Sequence, residues 1–547
     1  MLRKSFCVVL IQKKRKGGKM LRKSFCVVLF FFMPVLAFGA GDSETYVEGW
    51  LSGCGIEGSL WTTCTHRLDA TVNQPLVAIT WQGGLQPLLA ESWEMLEGGK
   101  VWIFHLRQGV KWHDGMPFTA KDVVFSFNAY ANPRAGSRWS SKVADILGYD
   151  EFQVGEADHL AGVEALDDYT VRIELKEPMP LWIKVKQTYV VILPEHILGN
   201  VPPEQWRGHL YWGYRIGTGP FKWVEYVPDQ YIKLERNEDY FLGAPKIKYL
   251  IYRFYTDAAS AVAALERGEV DTTAYETTLI ALDEVKRLDA IPGIDVLIMS
   301  TGMPNFLRLN QEKPEWADVR VRQAIRYAID VDTIVDTVFA GYGKPAYTVF
   351  PQEWAIPDGL NKYEYNPDKA RTLLKEAGYD FNRKFELLFH YQDVTTRRAL
   401  LAVQHYLAQV GINVELRLVD AATIHALQET GNWDMGYFGF GMGLDPALAE
   451  HLLKCGTIES GGYCNPAVEA LFAKGAQYTE RDKRVPYYHA IARIANQELP
   501  HIWLWYGVRP LGFNRRVVGP YEHWAEQKII YFNMPVYQEV EKWYIKD

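Results

Sequence analysis

The sequence predicts an α/β protein that is built from several domains. Its 547 residues are too many for one hydrophobic core, because single cores stop growing at roughly 250 to 300 residues. Segments with the alternating pattern of strands are repeatedly followed by segments with the period of amphipathic helices, which is the pattern of α/β domains. With 48% hydrophobic and 23% charged residues, the composition is that of a soluble globular protein.

Residues 1–40 are predicted to form a secretory signal peptide. The segment MLRKSFCVVL occurs at Met1–Leu10 and again at Met20–Leu29, so we interpret the beginning as duplicated and expect Met20 to be the initiator. Two basic residues, the apolar run Phe25–Phe38 and small residues up to Ala40 follow, which is typical of a cleaved leader. An uncleaved anchor is the alternative, but the run is shorter than the roughly 20 residues of a membrane span. No cysteine lies directly after the small residues, so we expect a periplasmic protein without a lipid anchor.

The net charge argues against two classes of partner. Cleavage after residue 39 would remove nine of the 59 basic residues and none of the 66 acidic ones, which leaves a net charge of −16. An acidic exported protein is a poor candidate for binding nucleic acid or an anionic membrane surface.

The segment Ala90–Tyr130 predicts a hairpin followed by a helix. A strand at Trp93–Leu96 leads to two glycines that supply a tight turn, and a second strand returns at Val101–Leu106. Thr119 and the Asp122 three residues later form a variant of the capping box, so we expect a helix to begin near Ala120.

The rest of the chain continues the alternation of strands and helices. The predicted strands are Tyr46–Trp50, Thr170–Leu175, Phe221–Tyr226, Tyr231–Arg236, Phe306–Asn310, Ile412–Leu418 and Leu499–Tyr506. The predicted helices are Ala258–Arg267, one that begins after Asp318, Lys369–Ala377, Thr396–Val410, Asn465–Ala473 and Asp482–Gln497.

Several polar residues could suggest a site but have a simpler interpretation. Arg320, Arg322 and Arg326 lie on the helix after Asp318, where we favour a solvated face over an anion site. His113 lies in a turn, where histidine is usually solvated, so no catalytic role is predicted for it.

Four cysteines remain after the leader, at Cys54, Cys64, Cys455 and Cys464. They fall into two closely spaced pairs, which in an oxidising compartment predicts two local disulfides. Zinc binding by Cys54, Cys64 and His66 is the alternative, but it lacks the short spacing between ligands that is typical of zinc sites.

Four segments identify a family resemblance. LAESWE, HLRQGVKWHDGMPFTAKDVVFSF, GTGPF followed by LERNEDYF, and DVRVRQAIRYAID together resemble the bacterial extracellular solute-binding proteins of family 5. These are the dipeptide- and oligopeptide-binding proteins that deliver ligands to ABC importers. The resemblance implies a type II periplasmic-binding fold, a Venus flytrap with an extra supplementary domain and therefore three lobes.

The resemblance also implies how the chain divides among these lobes. Lobe I is expected to combine residues 41–75, 191–300 and 501–547. The supplementary lobe II is expected at residues 76–190, and lobe III at residues 301–500.

A protein of this kind is expected to be a monomeric binding subunit without enzymatic activity, cofactor or metal. It would enclose an oligopeptide between closing lobes and pass it to the permease subunits of an ABC transporter. The alternative is an oligosaccharide on the same scaffold, because 18 Trp and 32 Tyr offer platforms for sugar faces. A secreted hydrolase is a remote third hypothesis, since the sequence lacks G-x-S-x-G and H-E-x-x-H motifs.

The resemblance places the ligand along Tyr437–Asp445, where glycines would let another backbone approach. Relatives usually have an Asp for the ligand's amino group at the position of Met442, whereas Asp445 matches a different family acid. The predicted ligand-binding residues are Trp50, Trp139, Trp433, Tyr437, Phe438, Gly439, Phe440, Gly441, Met442 and Asp445.

Overall fold

The computed structural model describes residues 8–11, 24–27, 43–51, 60–61, 66–80, 83–273, 280–441, 443–519 and 539–546. It has two compact units, Met1–Gly39 and Ala40–Asp547. In the first unit, strands β1 (Val8–Ile11) and β2 (Ser24–Val27) pair in antiparallel fashion. The predicted signal peptide lies largely outside the described residues. Within them, no helix is long and apolar enough to cross a membrane.

The second unit contains the remaining elements. Its strands, β3 to β21 in chain order, are Thr45–Leu51, Val77–Ile79, Leu85–Pro87, Ala90–Leu96, Val101–Leu106, Val163–Asp167, Thr170–Glu174, Phe221–Val227, Tyr231–Arg236, Tyr249–Tyr255, Thr272–Thr273, Ile294–Leu309, Lys344–Pro345, Lys384–Phe389, Asn413–Leu418, Met435–Gly439, His501–Asn514, Val517–Val518 and Tyr544–Ile545. Its helices, α1 to α16, are His66–Thr71, Ala120–Ala131, Tyr149–Gln153, Trp182–Val185, Glu195–Leu198, Ala258–Glu266, Val285–Asp289, Pro314–Ala317, Val319–Ala328, Val331–Val338, Pro367–Glu376, Val394–Gln409, Ala421–Glu429, Glu450–Leu453, Pro466–Gly475 and Arg481–Glu498.

The predicted hairpin and helix are confirmed, and they form the centre of lobe II. Strands β6 and β7 lie in a four-stranded antiparallel sheet with the order β6-β7-β9-β8. Helix α2 begins at Ala120, and the Asp122 carboxylate accepts the Thr119 N–H at 2.9 Å, which completes the capping box. Phe127 of this helix packs on Trp182, with 6.3 Å between the ring centroids. Burying such a side chain stabilises the fold by about 1.5 to 3 kcal/mol.

A second, eleven-stranded sheet connects the other two lobes. Its strand order is β10-β11-β12-β3-β13-β19-β14-β18-β16-β17, and β15 pairs with β19. The strands β10, β11, β12 and β3 adjoin a core that contains Tyr46 and Trp223, in lobe I. The strands β16, β17 and β18 adjoin a larger core that contains Phe306 and Trp503, in lobe III. The exact lobe boundaries remain predictions.

Strands β14 and β19 form an antiparallel ribbon that runs from the lobe I core to the lobe III core. Both strands are longer than the sequence predicts. The predicted strands Phe306–Asn310 and Leu499–Tyr506 overlap only one part of each. Gly302 and Pro304 interrupt the sequence pattern of a strand. In the structure they lie where the register shifts between Ser300 and Pro304, and such irregularities are where a sheet tolerates proline.

The GTGPF motif is a site of close backbone packing. A Cβ at Gly219 would lie 2.5 Å from the carbonyl oxygen of Thr71 and 2.8 Å from the carbonyl oxygen of Val72. A Cβ at Gly217 would also collide with the Val72 carbonyl group. The motif therefore requires glycine at both positions, because a side chain would collide with the backbone of Thr71 and Val72.

The structure corrects the predicted solvated face of α9. Arg320 is exposed and pairs with Asp318, but Arg322 and Arg326 are 5% and 2% exposed. Arg322 donates to the carbonyl oxygens of Trp316 and Ala317 at 2.9 and 2.7 Å. The guanidinium groups serve as donors to main-chain carbonyls inside the lobe, a role that helical periodicity alone does not reveal.

The expectation for His113 also needs correction, because its ring is half-buried and joins two segments. One ring nitrogen lies 3.2 Å from the Gly217 N–H, and the other lies 3.0 Å from the Gly219 carbonyl oxygen. Burial lowers the pKa of His113 to about 4. This histidine thus holds the GTGPF turn against lobe II.

Candidate functional site

The predicted segment Tyr437–Asp445 begins in strand β18, at the edge of the lobe III core. β18 pairs with β14 in antiparallel register, with Tyr437 opposite Leu307 and Gly439 opposite Asn305. Asn305 lies at the irregular part of the β14–β19 ribbon. The segment therefore leaves the sheet beside the connection between lobes I and III.

One face of β18 carries a cluster of polar and aromatic groups. The buried Tyr437 donates its hydroxyl to the Asn305 side-chain oxygen at 2.9 Å. The Gly439 N–H donates to the Tyr391 hydroxyl, also at 2.9 Å. A Cβ on Gly439 would lie 2.9 Å from the Asn305 oxygen and 3.2 Å from Cε of Met303, so a larger residue would displace this cluster.

The opposite face of β18 carries two phenylalanines. Phe438 lies beneath the guanidinium of Arg308, whose central carbon is 4.4 Å from the ring centroid. Phe440 packs edge-on against His451, with 4.2 Å between the ring centroids. Both phenylalanine side chains are partly buried, so this face combines apolar surface with cationic and imidazole groups.

Lobe II approaches the same segment with aromatic and basic side chains. Trp139 and Tyr189 lie with their ring centroids 6.2 Å apart, and the Lys142 ammonium lies 3.8 Å from the Tyr189 centroid. The Tyr189 hydroxyl would be 3.8 Å from a Cβ on Gly443. Lobes II and III therefore meet at the turn that follows β18.

Asp445 is bound by other groups of lobe III. It is 7% exposed, and the Arg484 guanidinium donates to it through two nitrogens, one of them at 2.7 Å. Its carboxylate also accepts the Ala447 N–H at 2.9 Å and so caps the following turn. With these donors in place, Asp445 is a structural acid and is not available for a ligand's amino group.

Two predicted aromatic platforms lie inside lobes instead of facing a cleft. Trp433 is 7% exposed and packs against Leu388 and Ile424. Trp50 is 2% exposed, its ring lies 4.5 Å from that of Tyr252, and its indole donates to Glu48 at 2.8 Å. The structure thus corrects the expectation for these two residues, because Leu388 of β16 and Ile424 of α13 cover Trp433, and Tyr252 of β12 covers Trp50.

Tyr437, Phe438 and Gly439 lie in β18, and Phe440 and Gly441 follow directly. Trp139 contacts Tyr189 of lobe II, and its part in the ligand site stays a prediction. Met442 lies outside the described residues. The Cys455–Cys464 disulfide is confirmed. Cys54 and Cys64 lie outside the described residues. The described residues contain no group of three or more side chains that could hold a metal ion.

Sequence reasoning missed Arg308, Lys142, Tyr189, Tyr391 and Asn305. The sequence offers one signal for the first of these, because an arginine in the apolar strand FLRLN is unusual at a position that becomes buried. The others come from segments that are distant in the chain, and one sequence gives no sign that they meet.

The chain matches known proteins over most of its length. Residues 84–454 match the family described as bacterial extracellular solute-binding proteins, family 5 Middle. A protein of Brucella ovis that is named as an ABC transporter peptide-binding protein is 34% identical over 438 residues, which cover 77% of this chain and 79% of the relative. The oligopeptide-binding protein AppA of Bacillus subtilis is 28% identical over 484 residues, which cover 84% of this chain and 83% of AppA.

Solved structures share the fold. The structure of Bacillus subtilis AppA in complex with a nonapeptide gives a TM-score of 0.71 at 24% identity, with 92% of this chain and 99% of AppA covered. The ABC transporter substrate-binding protein CtaP of Listeria monocytogenes gives a TM-score of 0.77 at 23% identity, with 92% and 100% covered. These likenesses confirm the predicted type II binding-protein architecture.

Proposed function

Because the chain belongs to the bacterial extracellular solute-binding proteins of family 5, we propose that it is the binding subunit of an ABC importer. In this proposal it captures oligopeptides between lobes II and III and delivers them to a membrane permease. It acts in the periplasm as a monomer after export through its signal peptide, and it has no catalytic role. The names of the relatives from Brucella ovis and Bacillus subtilis support a peptide as the ligand.

The observation that carries this proposal is the surface between the end of β18 and lobe II. Gly441, which follows the end of β18, has no side chain to block the approach of a ligand's backbone, which favours peptides held as an added strand. Trp139 packs on Tyr189, whose hydroxyl lies near Gly443, and the two rings would form the apolar walls of side-chain pockets.

The hydrogen bonds around Tyr437 would keep this surface in place during binding. The hydroxyl groups of Tyr437 and Tyr391 both form hydrogen bonds within lobe III. These bonds fix the end of β18 relative to Asn305 on the ribbon. Movement between lobes can then occur in the ribbon, while the ligand surface of lobe III stays rigid.

Mass spectrometry of ligands released from the protein, purified from its own host, tests the proposal. We expect a mixture of short peptides. Recovery of a cello- or manno-oligosaccharide without peptide would contradict the peptide assignment and would favour the sugar alternative.

A substitution tests the location of the site. Trp139→Ala is expected to weaken binding of a peptide pool by about tenfold, because aromatic anchors in pockets contribute more than 1 kcal/mol each. Trp93→Ala, on the outer strand β6 of the same lobe, is the matched control and should leave affinity unchanged. Equal affinities of the two variants would place the ligand elsewhere.

A further inference from the structure

The turn that follows β18 is bound by a glutamine from a distant segment of the chain. Gln352 is buried, and its side-chain Nε2 donates a hydrogen bond to the Gly443 carbonyl oxygen at 3.0 Å. The two residues are 91 positions apart. The side-chain oxygen of Gln352 has no hydrogen-bond partner among the described residues, so its amide contacts the turn through a single donated bond.

The backbone conformation at Gly443 explains why the turn needs support from outside. Its φ of +55° lies in the left-handed region, which glycine adopts at low cost. Glycine also loses more conformational freedom on folding than any other residue. The turn therefore depends on contacts with other segments to stay in this conformation.

A second contact binds the same turn two residues further on. Asp445 accepts hydrogen bonds from the Arg484 guanidinium of α16, one of them at 2.7 Å. Gln352 and Arg484 thus bind two points of one turn, the first through the main chain and the second through a side chain.

The segment that carries Gln352 packs on α16. Trp354 lies two residues after Gln352, and its ring packs edge-on against Tyr488, with 5.7 Å between the ring centroids. The central carbon of the Arg484 guanidinium lies 5.7 Å from the centroid of the Trp354 ring. The Trp354 carbonyl oxygen also lies 3.2 Å from a ring nitrogen of His489. The two groups that bind the turn therefore belong to segments that pack on each other.

Lobe II reaches the turn at the residue that Gln352 binds. The hydroxyl of Tyr189 would lie 3.8 Å from a Cβ on Gly443. The Tyr189 ring in turn lies beside that of Trp139, with 6.2 Å between the centroids. A displacement of the Gly443 backbone would therefore change the surface that lobe II contacts.

We propose that Gln352 is a positioning residue for ligand binding, which keeps the turn after β18 in the arrangement that lobe II contacts. This inference rests on the proposed function, because it assigns a role in the same site. Gln352 acts through the Gly443 main chain and not by touching the ligand. A turn that is already in place needs no ordering when the lobes close, so the bond stabilises the closed complex and slows ligand release.

The variant Gln352→Met tests this role, because it removes the donor and keeps the length of the side chain. The ligand is a nonapeptide that the wild-type protein selects from a random pool. We expect the variant to bind it about fivefold more weakly, which is the order of one net hydrogen bond. The loss should appear in the dissociation rate, measured by stopped-flow fluorescence, with an unchanged association rate. Gln352→Leu removes the same donor and should show the same loss.

Gln404→Met is the matched control for a purely structural role. The Gln404 side chain also donates to a main-chain carbonyl oxygen of lobe III, that of Val414 at 2.7 Å. Val414 lies in the outer strand β17, which β16 separates from β18. We expect both Met variants to unfold at similar denaturant concentrations, whereas the Gln404 variant keeps the wild-type affinity and dissociation rate.

The outcomes separate the two proposals. Wild-type affinity in both Gln352 variants, or an equal loss of affinity in Gln404→Met, would overturn the positioning role and leave peptide binding intact. Failure of the wild-type protein to bind any peptide of the pool would overturn the proposed function itself, and the role of Gln352 with it.

Discussion

At the residue scale, the pairing of Asp445 with Arg484 changes the interpretation of the ligand site. From the sequence, Asp445 is the remaining acid of the segment and is predicted to be a ligand-binding residue. In the structure, its carboxylate is held by a guanidinium and by a main-chain N–H. Whether Asp445 already has a counterion depends on Arg484, which lies 39 residues further along the chain. The local sequence does not contain that information.

Asp445→Asn is expected to lower the free energy of unfolding by about 3 kcal/mol, because it leaves the buried Arg484 charge without its counterion. Chemical denaturation measures this change. Glu386→Gln removes an exposed partner of Arg417 and should cost less than about 0.5 kcal/mol. If Asp445→Asn were as stable as this control but lost peptide binding, Asp445 would be a ligand residue after all.

His113 predicts a pH dependence of stability. Its pKa is about 4 in the folded protein and 6.5 when unperturbed, so between these values the unfolded chain binds more protons. The stabilisation is fully present above pH 6.5 and is lost as the pH falls towards 4. We expect a loss of about 1 to 2 kcal/mol between pH 7 and 4.5, reduced from the full shift because the ring is half-buried.

Denaturation curves at several pH values check this expectation. His113→Asn should be less stable at pH 7 and should show a shallower decline with falling pH. His159→Gln, at an exposed position, should keep the wild-type slope. A variant at position 113 with the full wild-type slope would assign the pH dependence to other groups.

At the element scale, local signals predicted much of the fold. The capping box at Thr119 and the glycine turn before Val101 depend on neighbouring residues, and both are present in the structure. The long strands β14 and β19 were predicted only in part. Gly302 and Pro304 interrupt the sequence pattern of β14, but the sheet accommodates them where its register shifts. Pairing across more than 190 residues determines these strands, and that pairing leaves no local pattern.

The GTGPF turn provides a test at this scale. Gly219→Ala is expected to destabilise the protein by about 1 to 3 kcal/mol, since the added methyl would collide with the backbone of Thr71 and Val72. Gly208→Ala is the matched control, because nothing lies within 4 Å of its Cβ position, and it should change stability by less than about 0.5 kcal/mol. Equal stability of the two variants would contradict the packing account of the motif.

At the scale of the whole molecule, the family and the three-lobe architecture could be predicted because motif residues recur along most of the chain. The ligand surface could be predicted only in part. Phe438 and Phe440 follow from the family segment, but the contact of Arg308 with Phe438 and that of Lys142 with Tyr189 do not. These contacts join segments that are distant in the chain, so they are properties of the folded molecule.

The central claim is that lobes II and III close on a peptide. Small-angle X-ray scattering of the purified protein, freed of ligand and titrated with a random peptide pool, tests it most directly. The account predicts a radius of gyration that decreases with added peptide until the sites are saturated, and no change with a pool of cello-oligosaccharides. A radius of gyration that stays constant with peptide, or that decreases only with the oligosaccharides, would contradict it.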